Sequence, residues 1–250
     1  RVGDVITLAI TSSEDIIAPT VTIAGVTATV TGSNKIWSAT YTVDASTTEG
    51  TAAISIAFAD LAGNNGTTVI ATTNGSSVTV DTSAPTLNPV TIASNNADNT
   101  EAKAGDVITI TFTSSEAIAT PTVTIAGTAA TVTNVSAATS WTATLTVGAG
   151  TTEGTAAIDI AFADLAGTTG TRVTATTDGS SVNIDRTPPT ITITATNGST
   201  AVADGATSSD VALTVTFTTS EPSLLFILSD VTSANGTLRD FVAVSSTEYT

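Results

Sequence analysis

Apolar and polar residues alternate along most of this chain. In Val107-Ile108-Thr109-Ile110-Thr111-Phe112 the side chains of Ile108, Ile110 and Phe112 fall on one face and those of Thr109 and Thr111 on the other. That period of two marks a strand buried on one side. Val123-Thr124-Ile125, Trp141 to Val147 and Ala156 to Phe162 follow the same rule. Between them stand turn formers: Ala126-Gly127, Gly148-Ala149-Gly150, Asp178-Gly179 and Asn74-Gly75. About seven short strands, with turns every ~8 to 12 residues, predict an immunoglobulin-like sandwich.

The pattern repeats. The segment from Gly50 to Gly63, containing Ile54, Ile56, Phe58 and Asp60, returns from Gly154 to Gly167 at an offset of 104 residues. The same offset links Trp37 to Trp141, Glu49 to Glu153, Asp81 to Asp185 and Pro85 to Pro189. Gly3-Asp4-Val5-Ile6-Thr7 returns as Gly105-Asp106-Val107-Ile108-Thr109 at an offset of 102, which places a two-residue insertion near Val135 to Thr139. Insertions belong in loops. A third, diverged copy opens after Pro189, where Thr216-Phe217-Thr218-Thr219-Ser220-Glu221 parallels Thr111 to Glu116, and Ser209-Asp210-Val211 parallels Gly105-Asp106-Val107.

Three domains follow: residues 1–81, lacking a first strand; 86–185, complete; and 190–250, diverged and truncated. The linkers Asp81-Thr82-Ser83-Ala84-Pro85 and Asp185-Arg186-Thr187-Pro188-Pro189 are short, and proline restricts both itself and its predecessor. The expected architecture is all-β, with tandem immunoglobulin-like β-sandwiches arranged as an extended rod. Trp37 and Trp141 are expected in the two cores, together with Phe58, Phe112, Phe162 and Phe217. No strand should run through Pro85 or Pro189.

Composition narrows the chemistry. The sequence has no Cys, His or Met, which removes disulfides, imidazole catalysis and the usual zinc ligands and leaves oxygen donors. The absence of Met also suggests a stretch from within a longer reading frame. Net charge is −16 and the six basic residues are scattered, so no patch suits nucleic acid. No apolar run is long enough to span a membrane. Ser and Thr are abundant, but with no His and with Lys35 and Lys103 in loops, a nucleophilic hydroxyl lacks a general base. No enzyme is expected.

The Asp-Leu-Ala-Gly loops at Asp60 and Asp164, the Asp-x-x-x-Pro linkers and the Ser-Ser-Glu after the second strand resemble the bacterial Ig-like tandem repeats of giant extracellular adhesins and biofilm-associated surface proteins. The third copy, with Phe226, Asp230-Val231, Asn235 to Leu238 and Phe241, resembles a sister subtype of the same proteins. The resemblance implies extracellular, cell-anchored stalks, with calcium between modules.

Seven acids recur at equivalent places: Glu14, Glu116 and Glu221; Asp60 and Asp164; Asp81 and Asp185. Successive loops of a sandwich lie at alternate ends, so the loops of Glu116 and Asp164 share the end at which the linker residue Asp81 arrives. Three carboxylates from separate stretches suit Ca²⁺, which takes oxygen ligands. Asp185 with Glu221 is the corresponding pair at the second junction. Asp4, Asp106 and Asp210, and Asp98 with Glu101, are weaker metal candidates, because Gly-Asp also simply shapes a turn. The function expected is a structural stalk or spacer segment of a repetitive bacterial cell-surface adhesin, rigidified by calcium at its junctions, with neighbouring repeats of the same chain as partners. The alternative is a subunit that self-associates into an extracellular filament, sheath or surface layer. An incomplete sheet leaves an edge that another chain can complete.

Overall fold

A computed structural model of the chain describes every residue except Ser208, Asp210, Leu224 and Asn235. Two positions singled out in the sequence, Asp210 and Asn235, therefore lie outside the described residues. The fold is all-β, and among the described residues the only helical element is a 3-10 turn at Leu228–Asp230.

The second repeat is a complete sandwich. Its larger sheet runs Thr131–Ser136, Ser140–Thr146, Val107–Ser114 and Leu87–Ser94 in spatial order. All three pairings are antiparallel. The facing sheet carries Thr128–Ala129, Thr122–Ile125 and Ile158–Ala161. The short strand Glu101–Ala102 pairs in parallel with Asn183–Ile184. This strand order is that of an immunoglobulin-like domain. Alternation does what the sequence promised. Ile108, Ile110 and Phe112 are fully buried and pack with Ile125, Ile160 and Ile184 in one core.

The first repeat builds the same sandwich without counterparts of Leu87–Ser94 and Glu101–Ala102. Val5–Thr11, Ile36–Thr42 and Thr29–Ser33 make a three-stranded sheet, opposed by Val26–Thr27, Thr20–Ile23 and Ile54–Ala57. Its core around Val21, Ile23, Ala39 and Ile56 is separate from the second. Where the second repeat has Leu87–Ser94 at its sheet edge, the first has none. The cost is visible in exposure. Trp141 is buried, but its counterpart Trp37 is only half-buried. Trp141 lies across from Phe112, which the outer strand covers, whereas Trp37 lies across from the smaller Ile10 on an edge strand. Phe58 is likewise half-buried against a buried Phe162. Trp37 is thus less buried than expected, whereas Phe58 still packs against the first core.

The two-residue insertion is where the offsets put it. The hairpin joining Thr131–Ser136 to Ser140–Thr146 turns through Ala137 and Ala138 at φ of 50° and 55°, and it carries a bulge between Asn134 and Ser136. The first repeat makes the shorter turn through Asn34 (φ 55°), with Gly32 before it at φ 138°. The Ala126-Gly127 turn has φ of 49° and 74°, as a two-residue hairpin loop requires.

By contacts the chain divides into two units, Arg1–Asp185 and Arg186–Thr250. The first unit holds both sandwiches, so the linker at 82–85 does not part them, and the boundary falls at the second linker. Neither Pro85 nor Pro189 lies in a strand. Among the described residues the second unit forms one sheet, Thr200–Val202, Ile191–Asn197, Thr214–Thr219 and Glu248–Tyr249. Its core is a cluster of rings: Phe226 meets Phe217, Phe241 and Tyr249 edge-on at centroid distances of 5.4, 5.7 and 5.0 Å. Ile191 and Ile193 remain exposed, at 44% and 62%.

Candidate metal centre

The recurring glutamates are placed by a hydroxyl two residues earlier. Ser114 ends the strand Val107–Ser114, and its Oγ donates to the carbonyl of Glu116 at 2.5 Å. Ser12 does the same to Glu14 at 2.6 Å and Thr219 to Glu221 at 2.7 Å. These short polar side chains bend the chain back on itself, a device that competes with further strand pairing. Glu116 and Glu221 come out half-buried and Glu14 exposed.

The Asp-Leu-Ala-Gly loop is a self-contained turn. The Asp164 N–H donates to Thr168 O at 3.0 Å, and Thr168 N–H donates to Asp164 Oδ1 at 2.7 Å. Gly167 supplies the positive φ of 89° that the turn requires. The first copy closes the same loop differently. Asn64 stands where the second copy has Thr168, and it donates both its N–H and its Nδ2 to Asp60, each at 2.8 Å. With Ala62 N–H also donating, both oxygens of Asp60 are occupied, and these bonds, Asn64's side chain foremost, hold the carboxyl below its ordinary pKa. The side chain of Thr168 brings only a hydroxyl to this turn, and both that Oγ1 and Asp164 Oδ2 are left buried without a hydrogen-bond partner, the aspartate being 2% exposed. A bare carboxylate oxygen held out of water is costly unless something positive meets it.

More negative charge gathers around this residue. Asp81, Glu116 and Asp164 bring one carboxylate oxygen each to within 4.8 Å of one another. They come from the linker after the strand Thr79–Val80 and from two loops of the following sandwich, so the group joins the two sandwiches of the first unit. Burial foremost, then the charges of Asp81, Asp164 and Glu49, raises the pKa of Glu116. Glu49 reaches the same place from the first sandwich. Its Oε1 accepts from Thr82 N–H, Thr82 Oγ1 and Ser83 Oγ at 3.2, 3.0 and 2.6 Å, which fixes the linker. Arg1 Nη1 also crosses the junction, donating to Gly167 O at 3.0 Å. The donor set is oxygen throughout, anionic and partly buried, with one oxygen unsatisfied. Those residues fit a hard divalent cation of the Ca²⁺ kind, whose remaining ligands would be backbone carbonyls and water.

The other candidates separate from this group. Glu14 and Asp60 sit at the corresponding end of the first sandwich, but among the described residues they belong to no cluster of three acids. Asp185 ends the first unit and Glu221 belongs to the second. The weaker candidates are turn formers: Asp106 accepts Lys103 N–H, Asn96 Nδ2 and Lys103 Nζ at 2.8, 2.7 and 3.1 Å. Asp4 accepts Arg1 Nε, Asp98 caps Thr100, and Glu101 accepts Asn183 Nδ2 at 3.0 Å. Glu49 was not among the site residues expected from sequence. Its recurrence as Glu153, at the offset that carries the linker aspartates, is the signal that marks it.

No family profile and no curated protein matches the sequence. Among solved structures, a chimeric titin Z1Z2-Z1Z2 tandem functionalised with a GRGDS peptide from fibronectin aligns over 75% of this chain and 93% of its own, at 10% identity and a TM-score of 0.27. A likeness of that size carries no argument. The sandwich assignment rests on strand order and on the two cores.

Proposed function

We propose that this chain is a stalk segment of a bacterial cell-surface adhesin, extracellular, whose repeats hold a binding tip away from the cell. Calcium bound by Asp81, Glu116 and Asp164 stiffens its first complete junction. The observation that carries this reading is the gathering of one carboxylate oxygen each from Asp81, Glu116 and Asp164 within 4.8 Å across a domain linker, with Asp164 Oδ2 buried and unpartnered. Charge of one sign gathered at a junction works against the junction unless a cation bridges it. The bridging cation then ties the linker to both loops, converting a proline-stiffened hinge into a fixed angle. In the first sandwich the equivalent aspartate has its own donors and needs no ion, so metal binding follows the junction and not the loop motif.

Extracellular calcium modules bind with Kd of about 10⁻⁴ to 10⁻³ M. At free calcium tenfold to a hundredfold above Kd, each site contributes about 1.4 to 2.7 kcal/mol. That orders a junction without being needed to fold a sandwich. Small-angle scattering with and without chelator tests the reading. The expected result is a shorter maximum dimension and a broader, more flexible profile in chelator, with the β circular dichroism signal unchanged. A profile indifferent to chelator would make these acids ordinary solvated loops.

A further inference from the structure

Four asparagines precede a glycine: Asn65, Asn74, Asn197 and Asn235. Such a pair rearranges when the glycine nitrogen, with no Cβ to screen it, reaches the asparagine's side-chain carbonyl. Asn235 lies outside the described residues, and the fold sorts the other three. Gly66 N–H is tied to Phe58 O at 2.9 Å, and the Phe58 ring packs where a Cβ of Gly66 would stand. Asn197 pairs with Thr200 at the end of the strand Ile191–Asn197. Asn74 instead sits exposed in a loop, and Gly75 follows it at φ of 73° with open space at its Cβ place. Among the described residues nothing accepts the Gly75 N–H. We propose that Asn74 is a self-modification site: the Gly75 nitrogen closes on its side chain, ammonia leaves, and water opens the ring to the aspartate form that the second copy carries at Asp178.

The chemistry needs only water. A bond forms between Gly75 N and Asn74 Cγ, the bond from Cγ to the side-chain nitrogen breaks, and the proton that Gly75 N gives up leaves with the ammonia. The product is a five-membered imide. Water then adds at one of its two carbonyls. Cleavage of the new Cγ–N bond returns an ordinary backbone with aspartate at residue 74, and cleavage of the main-chain bond gives isoaspartate.

The turn favours the first step. Ser76 N–H and Ser76 Oγ both donate to Asn74 Oδ1, at 3.1 and 2.7 Å. Bonds of this kind fold an asparagine side chain back over the peptide that follows it. As the Gly75 nitrogen attacks, negative charge develops on Oδ1, and two donors already aimed at that oxygen stabilise it as an oxyanion hole does. The second sandwich shows that this turn is independent of the outer strand. With Leu87–Ser94 in place there, Ser180 N–H and Oγ donate to Asp178 Oδ1 at 3.0 and 2.7 Å. Thr176 Oγ1 donates to Ser180 O at 2.7 Å, as Thr72 Oγ1 does to Ser76 O, and Gly179 takes φ of 77°. The same comparison shows the product: an aspartate in this place accepts the same bonds. Conversion therefore keeps the turn and adds one negative charge to a chain that carries −16.

The test incubates the whole folded chain at neutral to mildly alkaline pH and follows each asparagine by peptide mapping in a mass spectrometer. Residue 74 should convert about tenfold faster than residues 65 and 197, in calcium and in chelator alike. In denaturant that ranking should vanish, because the folded turn creates it. Ser76→Ala removes the Oγ donor and should slow conversion of the folded chain by about two- to tenfold while leaving the rate in denaturant unchanged. Asn74→Asp should melt with the parent. The ranking in the parent chain needs no variant, so it carries the test even if Ser76→Ala misfolds. Equal rates at residues 65, 74 and 197 in the folded chain, or faster conversion in folded Ser76→Ala, overturn the proposal, because the turn then shields the carbonyl. A lower melting temperature for Asn74→Asp overturns the fit of the product to the turn.

Discussion

Asp164→Asn separates a metal site from a structural acid, because the two roles predict opposite results. Thr168 N–H bonds Oδ1 at 2.7 Å, so an asparagine there keeps its carbonyl toward Thr168 and turns its NH₂ to where Oδ2 stood. The neutral amide no longer repels Asp81 and Glu116. Two like charges 4.8 Å apart, the limit for these oxygens, cost about 0.9 kcal/mol at the dielectric of water and about 3.5 kcal/mol at an effective value of 20. Asp164 takes part in two such pairs, so in chelator the variant should be at least as stable as the parent, by about 2 kcal/mol even in the watery limit. In calcium the parent gains about 1.4 to 2.7 kcal/mol, which for a sandwich of this size raises the melting temperature by roughly 6 to 20 °C. The variant should gain almost nothing, since the site has lost one of its three anionic ligands. Calorimetry with and without chelator, in a Trp37→Phe background so that Trp141 fluorescence reports the second sandwich, gives all four numbers. A variant that melts below the parent in chelator, or that keeps the parent's calcium shift, refutes the reasoning.

Trp141→Ala should cost about 3–5 kcal/mol in chemical denaturation and Trp37→Ala clearly less, because the second ring is only half-buried. Gly170→Ala puts a Cβ 2.2 Å from Phe162 Cε2 and should destabilise by about 1–3 kcal/mol; Gly66→Ala meets Phe58 at the same distance, but that ring is half-exposed and can move aside, so the thermal shift should be smaller. Two acids act in opposite senses with pH. Asp106 is held at about 2, chiefly by Lys103 N–H, so its contribution is present above 3.8 and is lost as the pH falls through about 2. Glu116 is raised, so in chelator its contribution is fully present below 4.5 and is lost as the pH rises through its folded value. The metal-free junction should therefore be tighter in mild acid than at neutrality, as read by scattering, and Glu116→Gln should remove that difference.

The fold was legible in the sequence wherever one physical rule acted alone. Alternation at Ile108, Ile110 and Phe112 gave the strand and its buried face, and the offset of 102 against 104 located the insertion in a hairpin loop. Of the site, the chain trace anticipated that Asp81, Glu116 and Asp164 would share one end of a sandwich, because loops alternate ends. What sequence could not supply was the difference between two copies of one motif. Asp60 and Asp164 stand in the same Asp-Leu-Ala-Gly loop, but Asn64 donates to both oxygens of Asp60, whereas the hydroxyl of Thr168 makes no bond to Asp164. Trp37 failed as a core residue for a similar reason: its burial depends on a strand that its own sheet lacks. Glu49 was visible as half of a repeat pair, but its bond to Ser83 belongs to the folded linker.

Crystals of the whole chain grown with calcium test the central claim most directly. The account predicts an anomalous peak at the first junction with one oxygen each from Asp81, Glu116 and Asp164 at about 2.3–2.6 Å. A water or a donor group in that place, with calcium bound elsewhere or nowhere, would contradict it.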